Sequence, residues 1–102
     1  MPYEFVNDVS DKKIQKLADP TQAEAVIQEI ATLAEQTEPV KGDQVNQWLG
    51  VLAKDNITAQ KVKGSVNTIE VYPGGKGSPD RIFITVGGGT VTVAAVGAAS
   101  HK

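Results

Sequence analysis

Polar and apolar positions change period twice along this chain. From Tyr3 to Asn7 they alternate, with Tyr3, Phe5 and Asn7 on one side and Glu4 and Val6 on the other, which predicts a short strand. From Ser10 the spacing turns helical. Ser10 is placed to cap a first helix through about Ala18, with Ile14 and Leu17 inward and Lys12, Lys13 and Lys16 outward. Asp19 and Pro20 open a second helix as N-cap and first helical residue, with Gln22 as the capping-box partner. Its inner stripe is Ala23, Val26, Ile27, Ile30, Leu33 and Ala34, and Thr37-Glu38-Pro39 ends it, because a residue before proline avoids helical angles. Asp43 caps a third helix over about Gln44–Lys54, where Val45, Trp48, Leu49 and Leu52 share one face and Asp55-Asn56 marks the end.

After Ser65 the period returns to two. Val66–Tyr72, Arg81–Val86 and Thr90–Val96 read as strands joined by the turns Pro73–Pro79 and Gly87–Gly89. Connections this short make the three strands antiparallel neighbours. The expectation is an α+β fold, with an N-terminal strand and two to three helices packed on one face of a small, mainly antiparallel sheet. At 102 residues the chain holds one core, so residues 1–102 are read as a single domain.

Composition narrows the chemistry. The absence of cysteine excludes disulfides, thiolate metal sites and cysteine nucleophiles, and a lone histidine, His101, excludes a multi-histidine metal centre. No metal or cofactor is expected. The N-terminal residues lack a basic and then apolar run, so they do not read as a secretory signal. Ile82–Ser100 is uncharged and nearly long enough to span a membrane, but its alternation around Gly87–Gly89 reads as a hairpin. A cytoplasmic protein without membrane contact is expected.

The net charge of −2 conceals a division. Residues 1–43 carry nine acids against four lysines, a net of −5, whereas residues 44–102 carry three acids against six bases, a net of +3. Such a split lets one face meet a polyanion while the other repels it.

Self-sufficient motifs are few. PGGKGSP (Pro73–Pro79) lacks phosphate-loop spacing and joins strand to strand, so it reads as a hairpin turn. Trp48 lies on an apolar stripe and reads as core rather than as a platform for bases. Carboxylates are scattered, with only Glu70 and Asp80 on or near the sheet, so a paired-carboxylate hydrolase is not expected. What remains is a cationic sheet surface. Lys61 and Lys63 lead into one strand, Tyr72 ends it, Arg81 begins the next, and His101 and Lys102 follow the last. A meander places Tyr72 and Arg81 at the same end of the sheet and is expected to gather the cations along a shared rim, where they would hold a phosphodiester.

The order of residues resembles the RelE/ParE toxin superfamily, closest to its phage-derived, HigB-like branch. PYEFVNDVSDKKIQKLADPTQAEAVIQEIATLAE resembles the family's first strand and helical hairpin. QVNQWLGVLAKDNITAQKVKGSVNTIEVY resembles its aromatic-leucine helix, lysine–glycine step and Glu-aliphatic strand, and DRIFITV resembles the strand that opens with an arginine and an aromatic. The last strand departs from the pattern, since VAAVGAASHK has small residues where many members carry bulky or basic ones. The resemblance implies the toxin component of a type II toxin–antitoxin system, a metal-independent endoribonuclease that cuts mRNA on the ribosome and is masked by a cognate antitoxin protein. It implies a catalytic, charge-stabilising role for Arg81 and RNA contacts from Lys61 and Lys63. Tyr72 stands where the family often has an arginine, and His101 and Lys102 stand in for its terminal basic pair. The candidate set is Arg81, Tyr72 and His101 for catalysis and Lys61, Lys63, Lys76 and Lys102 for RNA contact. The alternative is a non-catalytic protein-binding module on the same fold, gyrase-inhibitor-like or partner-binding, which the poverty of acid–base groups favours.

Overall fold

Helix starts follow the capping side chains. In the computed structural model, which describes residues 1–98, Ser10, Asp19 and Asp43 accept hydrogen bonds from the amides of Lys13, Gln22 and Asn46. They open α1 (Asp11–Gln15), α2 (Pro20–Glu35) and α3 (Gln44–Lys54). A cap of this kind contributes about 1 kcal/mol. Helix α3 has the expected bounds and closes on Asn56, whose φ of 63° is the left-handed conformation that ends helices.

Helix α1 is shorter than the sequence suggests, stopping at Gln15 rather than near Ala18. The reason lies across the fold. Asp80 accepts hydrogen bonds from the amides of Ala18 at 2.8 Å and Asp19 at 2.9 Å, which turns the chain toward α2 instead of continuing α1.

Five strands form one mixed sheet. These are β1 (Glu4–Asn7), β2 (Thr58–Lys61), β3 (Thr68–Tyr72), β4 (Asp80–Gly87) and β5 (Thr90–Ala98), in the order β1-β5-β4-β3-β2. Strands β2 to β5 pair antiparallel and β1 runs parallel to β5. Ile82–Ala98 forms β4 and β5 as the alternation predicts, and no helix of the described residues is long and apolar enough to cross a membrane.

Strand β2 is an addition, and β3 begins at Thr68 rather than Val66. Ser65 Oγ accepts hydrogen bonds from the amides of Asn67 and Thr68 and makes this stretch a turn, leaving the Val66 side chain 84% exposed. The β4–β5 turn is Gly88-Gly89, both at positive φ, the two-residue connection that suits the twist of an antiparallel pair.

Alternation assigns the two sides of the sheet. Ile69, Val71, Ile82, Ile84, Val86, Val91 and Val93 point inward, are all buried, and meet Ala23, Ile27, Ile30, Trp48 and Leu52 from the helices. Trp48 is fully buried and stands edge-on to Tyr3, with ring centroids 5.5 Å apart, so its reading as core holds. Thr68, Glu70, Tyr72, Arg81, Phe83, Thr85 and Thr92 occupy the opposite side. Phe83 and Val6 there are half-buried and lie outside the hydrophobic core.

Candidate functional site

Strands β3 and β4 bring Tyr72 and Arg81 together on the open side, as a meander requires. The Arg81 guanidinium lies over the Tyr72 ring, 4.2 Å from its centroid. Its remaining surroundings were not evident from sequence. Arg81 Nη1 donates to the carbonyls of Ser78 and Asp80, and Nε lies 3.2 Å from Glu70 Oε2. The Tyr72 hydroxyl donates to the other Glu70 oxygen at 3.4 Å. Arg81 is therefore 5% exposed and held on three sides by a carboxylate, two carbonyls and an aromatic face. A buried arginine is tolerated only with such partners, because an uncompensated charge there would cost several kcal/mol.

Glu70 is the residue that sequence reasoning passed over. It lies two positions before Tyr72 on the same strand face, and its register partner Phe83 lies two positions after Arg81. That i, i+2 arrangement across a pair of strands is the signal that points to the ion pair.

The other expected cations do not join this cluster. Lys61 pairs with Ile69 and so belongs by register to the helix-bearing side. The Thr58–Tyr72 pair lies three residues away along β2, roughly 10 Å at strand rise. Lys63 follows β2 in the connection to β3, where it and Lys61 border an open concavity of about 590 Å³ that Glu70 also lines. Lys76 is exposed in the Pro73–Pro79 turn. His101 and Lys102 lie outside the described residues. The anticipated shared rim of cations is thus replaced by one neutralised arginine near the β3–β4 turn and two lysines at the far end of β2.

Asp80, also buried, is engaged in holding the α1–α2 junction. Among the described residues no three His, Cys, Asp or Glu side chains gather to hold a metal ion. Two groups elsewhere titrate unusually. Burial pushes the Tyr3 phenol up, with its hydroxyl donating to Gln47 Oε1 at 2.6 Å. A carboxyl–carboxyl hydrogen bond with Asp55, reinforced by repulsion between the two charges, raises Glu29.

A second concavity, of about 340 Å³, opens between α1 and α2 beside the end of β1. Val9, Ile14 and Ile27 line it, with Asp11 and Glu24 as its charged members. Set against family models, curated proteins and solved structures, the chain matches none of them.

Proposed function

We propose that this chain is a cytoplasmic toxin-type protein on a RelE/ParE-like scaffold, and that it works by binding a protein partner through the open side of its sheet. One observation carries the choice of binding over cleavage. Arg81, the residue that phosphodiester chemistry needs most, is buried and neutralised by Glu70. Polyanion binding draws its affinity from accessible lysines and arginines. The open side instead presents Phe83, Val6, Thr68, Thr85 and Thr92, with Glu4 and Glu70 as its carboxylates. An apolar and hydroxyl surface with little free positive charge suits a protein interface. A cognate antitoxin would mask the same surface, and a cysteine-free composition is in keeping with a reducing compartment.

The stacked Tyr72–Arg81 pair favours a second reading, endoribonucleolytic cleavage. There the 2′-hydroxyl oxygen would attack the adjacent phosphorus and give up its proton. A 2′,3′-cyclic phosphate would form as the bond to the 5′-oxygen breaks, and that oxygen would take up a proton. Arg81 with Lys61 or Lys63 would stabilise the phosphorane charge, and Tyr72 or His101 would carry protons.

Induced expression separates the readings. Binding predicts growth arrest with intact transcripts, relieved by Phe83→Glu. Cleavage predicts fragmented transcripts, with Arg81→Lys restoring both transcripts and growth. Normal growth with abundant, folded wild-type protein removes the toxin assignment.

A further inference from the structure

The charge division of the sequence acquires a direction in the fold, because β1 and β2 are the two outer strands of the sheet. The acidic half supplies one edge and the basic half the other. Lys61 ends β2, and the connection beyond it to β3 carries Lys63 and Val66, the most exposed large apolar side chain after Met1. An isolated exposed valine means little by itself. Here it follows two cations, Lys61 at the end of β2 and Lys63 within the same β2–β3 connection.

The opposite edge carries the complementary shape. The α1–α2 groove has Val9, Ile14 and Ile27 along its floor and Asp11 and Glu24 at its rim. Exposed Asp8 adds negative charge beside it, and Lys12, Lys13 and Lys16 along α1 offset much of that charge from outside the groove, whose own charged lining residues are both acidic. An exposed valine preceded by two lysines thus has, toward the opposite edge of the same sheet, an apolar recess whose charged lining residues are both carboxylates.

We infer that the β2–β3 hairpin of one copy docks into the α1–α2 groove of a second copy. Val66 seats on the apolar floor, and Lys61 and Lys63 meet Asp11 and Glu24. Neither surface suits a two-fold pairing with itself, since hairpin against hairpin opposes lysines and groove against groove opposes carboxylates. The contact is heterologous, so it propagates head to tail into a ring or a short filament. Its small area and rim charges make it weak, reversible and sensitive to salt.

Sedimentation velocity on the full chain across a concentration series tests this. Association is expected at about 0.1 M salt and is expected to fade at about 1 M, where the screening length drops from about 10 Å to about 3 Å. Val66→Asp, Glu24→Lys and Lys63→Glu should each weaken association by about tenfold or more, at the scale of one lost anchor or one reversed pair. The decisive sample is a mixture. Glu24→Lys opposes lysine to lysine and Lys63→Glu opposes carboxylate to carboxylate, so each alone stays monomeric. Mixed in equal amounts they restore both contacts and assemble alternately, and the double variant in one chain does so alone. Thermal melts confirm that each variant is folded. A wild type that stays monomeric at every concentration overturns the inference, as does assembly indifferent to these substitutions or a mixture that does not associate. Monomeric protein whose groove titrates with a lysine-rich peptide would assign the groove to a foreign basic segment instead.

Discussion

The two sides of the sheet use the same strands for opposite ends. On the inner side of β3, of β4 from Ile82 onward, and at Val91 and Val93 of β5, every other residue is aliphatic and buried, and the helices close over it. On the outer side the alternate residues are mostly hydroxyl-bearing, and their one cluster of charge is closed on itself through Glu70, Tyr72 and Arg81. Most of the stability therefore resides on one side, leaving the other, outside its Glu70–Tyr72–Arg81 cluster, freer to change its chemistry. Substitutions ranked by expected effect test that division.

The largest effect belongs to the inner side. Trp48→Ala should cost about 3–5 kcal/mol through lost burial and the cavity left against Tyr3, measured by denaturant unfolding. Its indole nitrogen has no hydrogen-bond partner among the described residues, so Trp48→Phe should cost clearly less than alanine. Next comes the outer cluster. Glu70→Ala leaves Arg81 buried without its carboxylate and should cost about 3 kcal/mol. The double change Glu70→Ala/Arg81→Met should recover much of that loss, since it removes the stranded charge. Equal instability of the single and double variants would show the pair itself to be strongly stabilising. A smaller effect is expected at Phe83→Glu, which loses a half-buried ring and sets a carboxylate opposite Glu70, so the unfolding free energy should fall by about 1 kcal/mol. A loss of several kcal/mol there would mean that the outer side is part of the core.

The smallest effects are those of pH. The Tyr3 pKa is raised on folding, so its contribution is intact below about pH 10 and is lost as pH climbs through the raised value. Stability should fall on that alkaline limb, and Tyr3→Phe should flatten it. Glu29 is also raised, so its favourable contribution is present below the usual carboxylate range and fades as pH rises through it. Glu29→Gln should remove that slight acid-side gain in melting temperature. The opposite slope would contradict the Glu29–Asp55 contact.

How far the sequence could be read depended on how local each cause is. Ser10, Asp19 and Asp43 act on amides three residues away, so helix starts follow directly from their spacing. The β4–β5 hairpin and the Trp48 stripe are similarly local. Strand β2 escaped notice because Thr58-Ala59-Gln60-Lys61 has no alternation and gains its pairing only from β3. Helix α1 ended early because of Asp80, which lies 62 positions beyond Ala18. The site suffered most from this limit. Arg81 and Tyr72 were recognisable as candidates, but the carboxylate that neutralises Arg81 becomes its neighbour only through strand register.

The position of β5 between β1 and β4 has a consequence for how the molecule is made. Residues 4–7 leave the ribosome well before their partners, residues 90–93. That strand must wait, unpaired, until β5 has been made, and closing so long a loop is slow. Final closure of this sheet therefore waits for β5, and a nascent chain halted before Thr90 would carry a β1 with no strand beside it.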